Sequence, residues 1–188
     1  MDSLPNIYTF IAYDTEKNLG RAYNSCMDLL DDDDWVVFID HDAMFVQKDW
    51  YKNVSRIIKE NPEYGFFTCF TNRIGCPWQL VPDIDRDNHD IKYHYLIGRE
   101  LEKITEKEEV VDVTNDRVLS GVVMITQKKV WKKIGGAKDG FLSVDNDLHM
   151  KCKANGIKVG FIRSLYVYHW YRAEKSVENL DKLCLLDK

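Results

Sequence analysis

Trp35-Val36-Val37-Phe38-Ile39-Asp40-His41-Asp42 is the stretch that decides the fold. Five apolar residues run without a polar break, which suits a strand covered by other elements on both faces rather than one with a wet side. Two carboxylates follow it directly. In extended backbone, residues two apart face the same side, so Asp40 and Asp42 are expected to point together from the carboxyl end of that strand. Ligands of open α/β sheets bind at such ends.

Outward from this strand, helix and strand patterns alternate. Strands are expected over residues 7–12, 65–70, 110–113, 119–125, 158–162 and 165–168. Helices are expected over 21–30, from an Asp49 N-cap to Asn61-Pro62, and over 96–108, 128–134 and 148–155, the last stopped by Gly156. Alternation of this kind predicts an α/β domain with a mostly parallel central sheet flanked by helices. The stretch 71–95 has no periodicity, and a long irregular segment inside a small domain is usually functional.

The chain has 188 residues, and one core accommodates that length, so residues 1–188 are read as a single domain. The net charge of −5 disfavours a nucleic-acid surface, which needs clustered Lys and Arg. No apolar stretch approaches the roughly 20 residues of a membrane span, and the start lacks a signal core. Cys26, Cys69, Cys76, Cys152 and Cys184 are odd in number and lack paired C-x-x-C spacing. They read as reduced thiols, and a cytoplasmic location is expected.

Two neighbouring carboxylates repel each other unless a cation joins them. A hard divalent ion such as Mg²⁺ or Mn²⁺ removes the repulsion and leaves positions for diphosphate oxygens. Taken alone, the D-x-D pair equally describes a polar turn. The acidic run 31–34 contains the same pattern, but it precedes its strand and reads as a solvated turn.

Several segments together resemble family 2 glycosyltransferases. Asn18-Leu19-Gly20-Arg21-Ala22-Tyr23-Asn24, a helix, and then Asp40-His41-Asp42 look like that family's N-x-G-x-A-x-N … D-x-D region. Ser120-Gly121-Val122-Val123-Met124, Val130-Trp131, Ile134-Gly135-Gly136, the run Phe141-Leu142-Ser143-Val144-Asp145-Asn146-Asp147 and Tyr168-His169 resemble later segments in the expected order. The chain departs from the pattern in three places. Two strand–helix steps are missing after the first strand, Val144 stands where an acidic residue is usual, and 71–117 matches nothing in the family.

The resemblance implies a GT-A type (nucleotide-diphospho-sugar transferase) fold. It implies transfer of a hexosyl group from a uridine or guanosine diphosphate sugar to an acceptor hydroxyl, with inversion and with Mn²⁺ or Mg²⁺ as cofactor. It aligns Asp145 with the catalytic base and makes His169 the third metal ligand beside Asp40 and Asp42. It places the nucleoside near Ala12 and Tyr13, with Arg21 in reach of a phosphate or the base and Asp40 serving donor and metal together. Arg172 and Lys175 are candidates to fold over the donor diphosphate, or else solvated surface charges. Trp78 is a candidate for stacking on a sugar ring or for the core, and Asp147 for a helix cap or a partner behind the site residues. Three other readings of the same residues are a nucleotidyltransferase, a metal-dependent hydrolase and an inactive nucleotide-sugar-binding module. The first would need a glycine-rich basic loop after the first strand, which residues 13–20 do not supply.

Overall fold

The computed structural model describes residues 5–104, 106–116 and 118–171. Its strands are β1 (Ile7–Phe10), β2 (Trp35–Ile39), β3 (Ala43–Phe45), β4 (Tyr64–Thr71), β5 (Val110–Asp112), β6 (Val123–Gln127) and β7 (Lys158–His169). Its α-helices are α1 (Leu19–Met27), α2 (Trp50–Glu60), α3 (Ile91–Leu101), α4 (Glu106–Glu109), α5 (Lys128–Ile134) and α6 (Val144–Ala154). The strands form one open sheet in the order β1-β2-β6-β4-β7-β3, with β5 also on β7.

Side-chain alternation divides the core. Val36 and Phe38 of β2 face a cluster with Tyr23, Met27, Trp131 and Leu148, from α1, α5 and α6. Trp35, Val37 and Ile39 face the opposite cluster, with Val54, Ile57 and Ile58 of α2. All five residues of β2 are buried, as an apolar run covered on both faces requires.

The sheet is mixed rather than mostly parallel. β1–β2 and β4–β7 pair parallel, but β6 lies antiparallel between β2 and β4, and β3 and β5 run antiparallel to β7. The cause is how the chain reaches β6. It arrives at the edge where β2 ends, with Val122 O accepting the Asp40 amide at 3.1 Å. It can only run back from there. Periodicity marks a strand but carries no direction.

Other boundaries moved for local reasons. Residues 119–122 lie outside β6 because side chains, not a neighbouring strand, take up main-chain groups of Ser120 and Gly121. The two strands expected over 158–168 form one strand, β7, with a register shift opposite Cys69 and Phe70. The helix expected over 96–108 appears as α3 and the short α4. Asp49 is the N-cap of α2, but its carboxylate pairs with Lys52 at 2.9 Å instead of bonding the helix amides. No helix among the described residues is long and apolar enough to cross a membrane, and the four cysteines among them are free thiols.

One ion pair, buried at its Glu109 end, ties α4 to α2 and β7. Arg56 donates to both Glu109 carboxylate oxygens, at 2.9 and 2.6 Å, and the Ser164 hydroxyl donates to the same group. Burial pushes the Glu109 carboxyl up, but these bonds and the Arg56 charge outweigh it and hold the group below its ordinary 4.5. A depressed carboxylate stabilises the fold above the unfolded value and ceases to do so as pH falls through the folded value. Glu109→Gln is therefore expected to cost about 1–3 kcal/mol near neutral pH. The gap from the natural chain should begin to narrow as pH falls below about 4.5 and close as it passes the lower folded value. Urea unfolding of both chains at pH 7 and pH 3.5 checks it, and a gap that does not narrow contradicts it.

Candidate functional site

β2 and β7 run in the same direction, so Asp40, just after β2, and His169, the last residue of β7, arrive at one sheet edge. The turn after Asp40 leads into β3, which pairs with β7 so that Ala43 lies opposite His169. Trp170 N donates to Asp42 O at 2.9 Å and fixes the same turn. His169 Nε2 thus stands 3.1 Å from Asp42 Oδ1 and 3.7 Å from Asp40 Oδ2. The expected convergence is present, but its cause differs: the chain is turned at 41–42, not extended, and the return strand β3 brings Asp42 in.

One ligand atom from each of Asp40, Asp42 and His169 lies within 4.8 Å of the others. His169 is buried, and its Nδ1 is 2.8 Å from the Arg73 carbonyl. A carbonyl only accepts, so Nδ1 carries the proton, and Nε2 faces the carboxylates. A neutral imidazole in that tautomer presents a lone pair to two carboxylates, a set that fits a divalent cation. Burial pushes the Asp40 carboxyl up to about 6, aided by Asp42 and Asp145 and opposed by His169. A proton on Nε2 would instead be donated to Asp42, and that hydrogen bond holds the Asp42 carboxyl below the usual carboxylate range; a cation would take the place of this proton. The environment separates the two acids, as in sites that give neighbouring carboxylates different tasks.

A cleft of about 950 Å³ opens beside this cluster. Asp40, His169 and Asp145 share its lining, with Tyr23, Trp78 and Phe141 among the other walls. The described lining residues include no Lys or Arg.

Asp145 lies in the first turn of α6, with Ser143 as the N-cap. Its Oδ2 accepts from Gly121 N at 2.7 Å and its Oδ1 from Asn146 N at 2.8 Å. A Cβ at residue 121 would come within 3.0 Å of the Asp145 Cβ, so glycine there lets the two segments meet. Ser143 adopts φ 57°, a left-handed conformation that non-glycine residues rarely hold and that clusters at functional sites. Asp147, expected as a cap, lies within the helix 3.0 Å from Lys151 Nζ.

The Asn18–Asn24 segment places this loop. Asn18 Oδ1 accepts from Gly140 N at 2.9 Å as well as capping α1. Asn24 bonds both main-chain groups of Ala137, at 2.9 and 3.0 Å, and accepts from Trp131 Nε1. Its asparagines and glycine join α1 to the segment that leads to Asp145, a structural task behind the sequence pattern.

Three expected donor contacts are not brought into the cleft. Arg21 is engaged by Asp14 at 2.7 and 2.9 Å and by Glu16 at 2.7 Å, and it does not line the cleft. Tyr13 is 81% exposed, and Ala12 is partly buried against the core. Both lie just beyond β1, on the Asp40 side of the sheet. Arg172 and Lys175 lie outside the described residues. Trp78 does line the cleft, and its ring meets Phe161 edge-on at 5.2 Å between centroids.

Sequence reasoning passed over Tyr23, whose buried hydroxyl is pushed upward by burial and by the charges of Asp40 and Asp145. The helical position between Ala22 and Asn24, both turned inward, was the available signal. It also passed over Arg73, whose carbonyl sets the His169 tautomer. No residue-type pattern signals a main-chain contact.

No family model matches the sequence, and no curated protein matches it closely enough to count as a relative.

Proposed function

We propose that this chain is a metal-dependent glycosyltransferase of the GT-A type, taking a nucleotide-diphosphate sugar and an acceptor hydroxyl. The observation that carries the reading is a cation-ready set of Asp40, Asp42 and His169 beside a cleft that also holds Asp145. The order of the resembling segments supports it. So does the acidic lining: with no Lys or Arg among the described walls, a diphosphate is repelled there unless a cation accompanies it.

In this reading Asp40, Asp42 and His169 would hold Mn²⁺ or Mg²⁺, whose charge would offset that of a leaving diphosphate. Asp145 takes the proton from the acceptor hydroxyl as its oxygen bonds to the anomeric carbon. The bond from that carbon to the phosphate oxygen breaks on the opposite side, and the sugar is transferred with inversion. The walls at Trp78 and Phe141 offer apolar faces to a sugar ring. The resemblance would put the nucleoside at the strand end of Ala12 and Tyr13, outside the cleft lining. Arg21, committed to Asp14 and Glu16, has no part.

Calorimetric titration of uridine and guanosine diphosphate with and without Mn²⁺ tests the proposal. Binding should require the metal and be reversed by a chelator, and equal affinity without metal overturns it. Asp42→Asn should weaken Mn²⁺-dependent binding at least about tenfold, since even outer partners of metal ligands contribute 10–100-fold. An unchanged affinity would remove Asp42 from the ligand set. Free sugar released at a rate independent of acceptor would make the protein a hydrolase instead.

A further inference from the structure

We infer that Asn72 and Gln79, two buried carboxamides on the segment between β4 and α3, are positioning residues that hold two parts of the cleft wall. Asn72 sets His169, and Gln79 sets the Ser120–Gly121 turn on which Asp145 rests. The inference rests on the metal reading for its first half only.

Both side chains are fully buried. Asn72 Oδ1 accepts from His169 N at 2.7 Å, and Asn72 Nδ2 donates to His169 O at 3.2 Å and to Arg86 O at 3.4 Å. Gln79 repeats the arrangement on Ser120. Its Oε1 accepts from Ser120 N at 2.7 Å, and its Nε2 donates to Ser120 O and to Thr68 Oγ1, both at 3.1 Å. The next residue, Gly121, donates its amide to Asp145.

A carboxamide carries one acceptor and two donor hydrogens on one plane. It can satisfy the N–H and C=O of a single residue as a neighbouring strand would. Both clamped residues lie where regular pairing stops: His169 ends β7, and Ser120 precedes β6. Each buried main-chain group there needs a partner, and the side chains supply it at a fixed distance and angle. Arg73, next to Asn72, adds the carbonyl that orients the imidazole. An aspartate or glutamate would accept but not donate. The segment that matches no family pattern is thus the brace between the proposed metal ligand and the proposed base.

The experiment uses the full chain and Mn²⁺ alone, well below the melting temperature of every variant. Asn72→Ala should lower Mn²⁺ affinity 10–100-fold, the range for partners that orient a metal-bound histidine. With ¹⁵N-histidine labelling, the electron spin echo signal of nitrogen bound to Mn²⁺ should weaken with it. Gln79→Ala should keep both readouts near the natural values. Amide hydrogen exchange separates the two clamps without any metal. His169 N–H should exchange at least tenfold faster in Asn72→Ala, Ser120 and Gly121 N–H in Gln79→Ala, and Ile125 N–H in neither. If Asn72→Ala does not fold, Asn72→Ser, which keeps a small acceptor, carries the same expectations. Equal Mn²⁺ affinity in Asn72→Ala and the natural chain, or equal losses in both variants, overturns the inference. If the natural chain takes up no Mn²⁺, the metal reading fails on its own, and the exchange pattern decides whether the two clamps act on separate parts of the wall.

Discussion

Asp145→Asn is expected to cut sugar transfer about a hundredfold or more, the scale for loss of a general base, while Mn²⁺ affinity stays near that of the natural chain. The metal set does not include Asp145, so the cation should remain. The substitution is not silent in the fold, however. Both carboxylate oxygens accept main-chain amides, from Gly121 and Asn146. Asparagine has one oxygen, so its NH₂ group must face one of those N–H donors, at a cost of about 1–3 kcal/mol. A melting temperature lower by several degrees should accompany the loss of transfer. Asp145→Ala, which removes the base without setting donor against donor, should lose transfer to the same extent. Rates with a working donor, together with melting curves, check all of this. Transfer at the natural rate in Asp145→Asn would unseat the proposed mechanism, because the next acid along, Asp147, is set against Lys151 and does not line the cleft.

Gly20→Ala is expected to destabilise the fold by about 3 kcal/mol or more, above the middle of the range for overpacking. Helix propensity alone argues the other way, since alanine is favoured over glycine by roughly 1 kcal/mol in a helix interior. Space decides. A Cβ at residue 20 would stand 1.7 Å from Lys138 O and 2.7 Å from Lys138 C, and both are main-chain atoms. They cannot swing aside, because Gly20 N donates to Gly140 O at 3.1 Å and Asn18 accepts from Gly140 N. The melting temperature should fall by roughly 6–12 °C for a domain of this size. A fall of less than about 2 °C would show that the 138–140 segment yields more easily than its bonds suggest.

β2 and α5 were legible in the sequence with their bounds because each has a strong signal: an unbroken apolar run in one, a Gly135-Gly136 stop in the other. Asp40, Asp42, His169 and Asp145 were legible as a group only through the order of several weak motifs. The approach of Asp42 to His169 is produced by β3, a strand of three residues, too short for any period to show. The pairing of Arg21 was not legible because its partners sit in the turn before it, and only the folded turn brings Asp14 and Glu16 to its guanidinium. Of the stretch 71–95, residues 91–95 begin α3, and the part between β4 and that helix gave no signal for a physical reason. Its order comes from single side chains bonded to main-chain groups far along the chain, and such contacts do not repeat.

The antiparallel strand at the centre of the sheet also governs the sequence of events in folding. β2 and β4 are not paired with each other in the sheet; each is joined to β6, with Phe38 opposite Met124 and Phe67 opposite Ile125. While the chain is being synthesised, the β1–β2 pair and the α2 segment emerge long before β6 exists, and their apolar surfaces wait uncovered. Closing a loop of that length must precede the contacts that reward it, which slows folding and lengthens exposure to aggregation. A nascent chain halted before residue 123 should therefore remain a client for chaperones, and compaction should set in abruptly once β6 has left the ribosome.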